Sequence, residues 1–210
     1  AHARVISMQL GAGCSITATR NGAPVDTSMG FSPLEGLMMA TRSGDIDPGM
    51  LLYLQRTLPM TPENMETLLN AASGLLGVSG ASADMRALLA SDEEAARLAV
   101  DLYCYRARKY VGAYLAVLGG VDAILFGGGI GENSSVVREK ILEGMQWARI
   151  ALDANANRNA IGIEACISAS GDAAERDGVT VWTLPVDEAA VLAEEASRII
   201  HFEPGQEARS

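Results

Sequence analysis

The chain has 210 residues, of which 49% are hydrophobic, and its formal net charge is -10. A chain of this length buries roughly 70% of its unfolded surface on folding, which predicts one domain with a full core. The negative charge disfavours a nucleic-acid partner, because binding to a polyanion depends on Lys and Arg residues that neutralise phosphates. We therefore expect small molecules or other proteins as partners.

Cysteines, histidines and apolar runs narrow the class of protein further. Cys14, Cys104 and Cys166 are widely spaced and form no C-x-x-C pair, which is typical of free thiols in a reducing compartment. The two histidines, His2 and His201, lie near opposite ends, which disfavours a catalytic triad or a multi-histidine zinc site. Every apolar run is shorter than the ~20 residues that span a bilayer. We expect a cytoplasmic protein with no membrane partner.

The first thirty residues predict three strands joined by tight turns. The run RVISMQL is mostly apolar, SITATR alternates between apolar and polar residues, and APVDTSM follows the hairpin signal Asn21-Gly22. The next segment, up to Met50, is rich in Gly and Pro. It predicts an ordered surface loop that contains a short helix from Leu34 to Ala40.

Helix signals dominate the middle of the chain. Thr61 followed by Pro62 predicts an N-cap and a first helical turn. Ser91 and Glu94 have the spacing of a capping box, which predicts a helix that runs up to Gly119. The residues predicted to form its packing stripe are Leu98, Leu102, Tyr105, Val111, Tyr114 and Leu118.

Strands and helices alternate in the second half. VDAILF predicts a buried strand, GGGIGEN a glycine turn and SSVVREKILEGM a helix. Two further strands, EACIS and VTVWTLP, flank a polar turn from Gly171 to Gly178, and a closing helix is expected from Asp187 to Ile200. This order predicts an α/β domain with a mixed β-sheet, as in the ribonuclease H-like fold, over residues 1–203. Residues 204–210 are expected to form a frayed tail.

Two glycine-rich turns each allow a binding and a structural interpretation. LFGGGIGENSS places glycines between a strand and a helix, where backbone N–H groups can approach an anion. It matches neither the P-loop nor the dinucleotide fingerprint, so a nucleotide contact and a tight turn both stay open. The same holds for LGAG at residues 10–13, which is either a plain hairpin turn or a phosphate loop.

Three charged motifs have the same ambiguity. Arg42 lies beside two aspartates in TRSGDIDP, where it can clamp a phosphoryl or carboxylate group or form a loop ion pair. In SADMRALL, either Ser82 or Asp84 is expected to cap a short helix and Arg86 to be exposed. Glu188 starts the closing helix, where it can hold a metal or complement the helix dipole.

Taken together and in this order, the motifs resemble the carboxyl-terminal half of the acetate kinase family. The matching runs are LGAG, NGAPVDTSMGFSPLEGLMMATRSGDIDP, GLLGVSGASADMR, FGGGIGEN and VDEAAVLA, from about Val5 to Ala193. That family belongs to the superfamily of acetate and sugar kinases, Hsp70 and actin, whose members pair two ribonuclease H-like lobes around a nucleotide cleft. The resemblance implies that this chain is one lobe, that the amino-terminal lobe is missing, and that the protein is a homodimer.

The resemblance also implies roles for individual residues. The active-site arginine falls on Arg42, and the metal-holding glutamate most nearly matches Glu188. The family's phosphate loop falls on Leu10, Gly11, Ala12 and Gly13. The adenosine-binding D-x-R motif falls on Asp84, Met85 and Arg86. The nucleotide glycine loop falls on Gly128, Gly129, Ile130, Gly131, Glu132 and Asn133. Gln9 and Ala12 replace a histidine and an asparagine of the family at the phosphate, which makes Gln9 a second catalytic candidate.

The function implied is reversible phosphoryl transfer from ATP to acetate, giving acetyl phosphate and ADP with Mg²⁺ as the metal. Such a transfer needs positioning and charge neutralisation more than covalent help. Because half of the active site is missing, the chain alone is expected to be inactive. Two alternatives stay open, namely a kinase for propionate or butyrate and a non-catalytic nucleotide-binding or dimerisation module.

Overall fold

The computed structural model describes residues 3–169 and 178–186, together with Ala193, Ala196 and Ser197. The described strands are β1 (Arg4–Leu10), β2 (Cys14–Arg20), β3 (Ala23–Thr27), β4 (Ala123–Gly127), β5 (Ala165–Cys166) and β6 (Thr180–Thr183). They form one six-stranded sheet in the order β3-β2-β1-β4-β6-β5. Strand β4 lies parallel to β1 and β6, whereas the pairs β1–β2, β2–β3 and β5–β6 are antiparallel. The predicted mixed α/β sheet is confirmed.

The three amino-terminal strands follow the alternation of their residues. In β1, Ile6, Met8 and Leu10 are buried, whereas Ser7 and Gln9 on the opposite face are half-buried. The buried face is the inner face of the sheet, which packs against the long helix of the middle of the chain. The turn between β2 and β3 has positive φ at Asn21 and Gly22, as a two-residue hairpin requires.

The helices are α1 (Pro48–Thr57), α2 (Pro62–Ala71), α3 (Gly74–Ser79), α4 (Met85–Leu89), α5 (Glu94–Leu118), α6 (Gly128–Asn133), α7 (Ser135–Leu142) and α8 (Ala154–Asn159), with a 3-10 turn at Gln146–Ala148. Thr61 caps α2, since its hydroxyl accepts a hydrogen bond from the Asn64 N–H. Gly119 ends α5 in the left-handed conformation. Both helix boundaries were predicted correctly. No helix in the described part of the chain is long and apolar enough to cross a bilayer.

The expected helix from Leu34 to Ala40 is wrong, because this segment consists of turns and bends. Gly36 has a φ of 101°, and a Cβ atom there would lie 2.2 Å from the carbonyl oxygen of Ser28. This close contact with the end of β3 goes with a non-helical backbone at Gly36, despite the local helix signal. Helix α1 was not predicted from the sequence. None of its residues is buried, so its apolar side chains form no packing stripe.

The start and the packing stripe of α5 were also predicted incorrectly in part. Glu93 is the N-cap without a side-chain hydrogen bond, and Ser91 accepts from the Glu93 N–H instead of forming a capping box. Leu98, Leu102 and Tyr105 are 51%, 39% and 56% exposed. The residues that pack inward in this half of α5 are Ala96, Ala99, Val100, Tyr103, Cys104 and Ala107. Small residues let the helix lie close to the sheet. Close packing, and not the size of the apolar side chains, therefore decides which face of the helix is buried.

The glycine turn GGGIGEN was expected to be irregular, but residues Gly128–Asn133 form the short helix α6. The predicted strands EACIS and VTVWTLP are present in shortened form as β5 and β6. The predicted closing helix, apart from Ala193, Ala196 and Ser197, lies outside the described residues, as do most of the turn between β5 and β6 and the tail 204–210. The single domain over residues 1–203 stays a prediction.

Candidate functional site

A cavity of about 910 Å³ lies at the carboxyl ends of the parallel strands β1 and β4. Its walls come from the β1–β2 turn, from α4 with the residue before its cap, and from α6 with the start of α7. The lining residues are Gly11, Ala12, Ala40, Ala83, Asp84, Met85, Arg86, Leu89, Ala90, Gly129, Ile130, Asn133 and Ser134. Carboxyl ends of parallel strands share one edge of a sheet, where binding sites of α/β proteins commonly lie.

A second cavity of about 600 Å³ adjoins the first and shares Gly11, Ala12 and Gly129 with it. Its other lining residues are Gln9, Gly13, Gly128, Glu132 and Val186. Most of the candidate site residues predicted from the sequence line one or both of these cavities. Leu10 and Gly131 are buried behind the walls, and Gly131 packs against Phe126.

A chain of hydrogen bonds that starts on α5 holds the turn between β1 and β2 in place. The Cys14 thiol donates to the carbonyl oxygen of Gly11 at 3.3 Å, and the Tyr103 hydroxyl of α5 lies 3.1 Å from the same sulfur. Burial raises the pKa of both Cys14 and Tyr103. Both groups therefore stay protonated at neutral pH, so the hydroxyl donates to the sulfur and the thiol donates to Gly11. The turn is a true hairpin whose other side faces the two cavities.

The start of α6 contacts the end of β1 through the backbone. Gly128 has a φ of 76°, and a Cβ atom there would lie 2.6 Å from the carbonyl oxygen of Leu10. The Glu132 carboxylate accepts hydrogen bonds of 2.9 Å from the N–H groups of Gly128 and Val186. Glu132 thus ties the start of α6 to the segment after β6. By contrast, a Cβ atom at Gly129 would meet no atom within 4 Å, so Gly129 faces open space.

Asp84 and Arg86 have a structural role at the start of α4 and also lie in the wall of the larger cavity. Asp84 caps α4 by accepting from the Arg86 N–H at 2.9 Å, and its carboxylate pairs with the Arg86 guanidinium at 2.8 Å. This hydrogen-bonded pair lowers the pKa of Asp84. The Arg86 side chain is 91% exposed and, with Asp84, forms one wall of the larger cavity. The predicted cap and the predicted exposure of Arg86 are confirmed.

Arg42 lies against the turn between β1 and β2. Its Nη1 donates to the carbonyl oxygen of Pro33 at 3.2 Å and lies 3.5 Å from the position of a Cβ atom on Gly13. The nearby aspartates have other partners, since Asp45 pairs with Arg106 of α5 and Asp47 caps α1. Among the described residues, the predicted loop ion pair with these aspartates is therefore not formed, and Arg42 lines neither cavity.

Gln9 lies on the outer face of β1, opposite Gly127 in the parallel pair with β4. Its Oε1 is 2.8 Å from the position of a Cβ atom on Gly127, so the absence of a side chain there makes room for Gln9. Gln9 lines the smaller cavity. Glu188 lies outside the described residues. Within the described ranges, no group of three or more His, Cys, Asp or Glu side chains is placed to hold a metal.

Sequence reasoning missed two supporting residues. Tyr103 was not among the expected packing residues of α5, and Arg138, in the polar-looking run VVREK, is fully buried. No local pattern marks Arg138, because an arginine in the middle of an amphipathic helix is most often solvated. Its partners come from α6 and α8, which only the tertiary fold brings together.

The chain was compared with known protein families, curated proteins and solved structures. A family model described as the Acetokinase family matches residues 1–194. The acetate kinase of Solibacter usitatus is 44% identical over 95% of this chain and 48% of its own length. The acetate kinase of Chloroherpeton thalassium is 46% identical over 93% of this chain and 47% of its own length.

Solved structures agree with the sequence comparisons. The acetate kinase of Porphyromonas gingivalis has a TM-score of 0.87 and 41% identity over 95% of this chain and 49% of its own. A propionate kinase from Francisella tularensis has a TM-score of 0.83 and 35% identity over 92% of this chain and 49% of its own. This chain spans about half the length of the curated relatives that it matches. It belongs to the acetokinase family.

Proposed function

We propose that this chain is the nucleotide-binding lobe of an acetate kinase, which transfers a phosphoryl group reversibly between ATP and acetate. One observation carries the proposal. The β1–β2 turn, the start of α4 and the glycine helix α6 meet around one cavity of about 910 Å³. Each of these segments carries one of the sequence motifs on which the family resemblance rests. The volume lies in the range of small-molecule sites.

The proposed roles follow from the position of each group. The apolar wall formed by Leu89 and Ile130 receives the base, and the exposed Arg86 guanidinium lies over the adenosine. The backbone of Gly11 and Gly129, which has no side chain to obstruct it, lies at the junction of the two cavities and approaches the phosphates. Gly128 lines the smaller cavity beside them, and the buried Leu10 and Gly131 shape this wall from behind.

Arg42 is proposed to neutralise charge on the phosphoryl group in transfer, because its planar guanidinium lies beside the Gly11–Gly13 turn. Gln9 is proposed to donate a hydrogen bond to a phosphate oxygen from the wall of the smaller cavity. A glutamine brings no positive charge, and Ala12 brings no hydrogen-bonding side chain. These two residues are the observation that favours the second candidate, a non-catalytic nucleotide-binding or dimerisation module.

Mg²⁺ supplies further charge neutralisation when it is bound, as is typical of phosphoryl transfer. Glu132 is less suited as its ligand, since Oε1 of its carboxylate already accepts two backbone N–H groups. Glu188 is the proposed ligand because carboxylate oxygens suit this hard cation.

The remaining parts of the proposal concern the whole enzyme. Acetate, or propionate or butyrate as the alternative, binds between this lobe and an amino-terminal lobe, and closure of the two lobes excludes water. The likeness to a propionate kinase supports keeping the alternative acids. A cytoplasmic homodimer is proposed as well, supported by the exposed Leu52 and Tyr53 of α1.

Calorimetric titration of the 210-residue chain with ADP tests the nucleotide site. We expect weak binding by the wild type and at least a tenfold loss in Gly129→Trp, because Gly129 faces the cavity and an indole would fill it. Gly112→Trp is the matched control, since Gly112 also has open space but lies on α5 away from the cavity. Equal affinity in Gly129→Trp and Gly112→Trp, or no binding at all, would contradict the nucleotide site.

A further inference from the structure

Arg138 of α7 is the largest fully buried side chain among the described residues, and its guanidinium makes five hydrogen bonds. It donates to the carbonyl oxygens of Gly131 and Glu132 at 2.8 and 3.0 Å. It also donates to the carbonyl oxygens of Asn157 and Ala160 at 2.7 and 2.8 Å, and to Oδ1 of Asn157 at 2.8 Å.

The acceptors that Arg138 contacts are all neutral. A buried charge normally requires an ionic partner or a full set of hydrogen bonds. Here the carbonyl groups lie at the carboxyl ends of α6 and α8, where the last four carbonyls of a helix lack partners within it. A cation is favoured at such an end because the peptide dipoles place negative charge there. Arg138 therefore caps two helices at once, and no carboxylate is needed to compensate its charge.

Helix α6 depends on such support because it has only six residues. An isolated helix of this length does not form in water, since nucleation is costly and few hydrogen bonds repay it. Its first residue, Gly128, is held by Glu132, and its last turn is held by Arg138. Gly129 and Ile130, between these two attachments, line the larger cavity together with Asn133.

We propose that Arg138 is a positioning residue for the nucleotide, which acts by holding α6 in the orientation that presents Gly128 and Gly129 to the two cavities. That α6 is held by Arg138 follows from the hydrogen bonds alone. That the held segment serves a nucleotide rests on the proposed function. Loosening the guanidinium contacts should therefore raise the mobility of α6 and lower the affinity for ADP together.

Arg138→Lys keeps the charge but removes the planar fork, so most of the five hydrogen bonds are lost. Arg108→Lys is the matched control, because Arg108 donates from Nε to Ile141 and from Nη2 to Lys140, the last carbonyls of α7. Both variants lose an arginine that caps a helix end, and neither arginine lines either cavity. The difference is that Arg108 binds the end of α7, whereas Arg138 binds the end of α6. Hydrogen–deuterium exchange by mass spectrometry and ADP titration are measured on the 210-residue chain.

We expect Arg138→Lys to speed exchange in residues 127–134 at least tenfold and to weaken ADP binding at least tenfold. Arg108→Lys should change both by less than twofold. Unchanged exchange in residues 127–134 would overturn the proposal whether or not the chain binds ADP. Faster exchange with unchanged ADP affinity would also overturn it, since Arg138 would then be structural only.

Two further outcomes of these experiments have different consequences for the two proposals. A wild type that does not bind ADP contradicts the proposed function, and the exchange result still decides whether Arg138 holds α6. If Arg138→Lys does not fold, as judged by circular dichroism, Asn157→Ala takes its place, because it removes one acceptor of the guanidinium. We then expect a smaller rise in exchange in residues 127–134, together with a rise at the start of α7, because Asn157 Nδ2 also donates to the carbonyl oxygen of Ser135. No rise in residues 127–134 would overturn the proposal.

Discussion

Replacement of Gly128 by alanine should strongly destabilise the fold. Two costs add at this position. A non-glycine residue in the left-handed region costs about 1–2 kcal/mol, and Gly128 has a φ of 76°. The new Cβ atom would also lie 2.6 Å from the carbonyl oxygen of Leu10 and 2.9 Å from its carbonyl carbon. These are backbone atoms of a central strand, so relief requires a backbone shift that costs about 1–3 kcal/mol.

We therefore expect Gly128→Ala to lower the free energy of unfolding by about 2–5 kcal/mol. Gly129→Ala is the matched control in the next residue. It meets no atom within 4 Å and has no positive φ, so alanine should stabilise the helical residue by roughly 0.5–1 kcal/mol. The two variants should consequently differ by at least about 2.5 kcal/mol, which is a large part of the stability of a typical domain.

Urea unfolding followed by far-UV circular dichroism measures both variants against the wild type. The slope with denaturant should stay the same, so that the difference appears in the transition midpoint. A Gly128→Ala variant as stable as Gly129→Ala would refute the reasoning. It would mean that the end of β1 and the start of α6 do not meet through the backbone, and the junction of the two cavities would be built differently.

Two further predictions concern buried hydroxyl and thiol groups. Tyr103→Phe should lower the free energy of unfolding by about 1 kcal/mol, since the hydroxyl donates to Cys14 beneath the β1–β2 turn. Tyr114→Phe should cost less in urea unfolding, because this buried hydroxyl makes no hydrogen bond of normal geometry among the described residues, although it interacts with the Asp26 carboxylate. An equal loss in both variants would contradict this. Dithiodipyridine at about pH 8 should modify one thiol of the native chain and three after unfolding. The reactive thiol is the exposed Cys166, since burial raises the pKa of the other two thiols; a second reactive thiol in the native chain would count against the structure.

Features that depend on a few neighbouring residues were predictable from the sequence. The turn at Asn21-Gly22, the cap at Thr61, the cap at Asp84 and the left-handed Gly119 all have their causes within about four residues. The strands β1, β2 and β4 were predicted for the same reason, since alternation or a short apolar run is visible locally. The family resemblance is confirmed by the comparisons, and the mixed sheet agrees with the fold class that was predicted, whereas the roles of the candidate residues stay proposals.

Features that depend on partners distant in the chain were decided by the tertiary structure alone. The buried face of α5 is set by which side chains let it approach the sheet, so its large leucines at 98 and 102 lie outside. Glu132 lines the smaller cavity, as the resemblance implied, but only the fold shows that its carboxylate also ties Gly128 to Val186. Arg138 looked like a solvated residue but caps α6 and α8 from the core. A buried polar group must find hydrogen-bond partners wherever the fold supplies them, and no local pattern records where those partners lie.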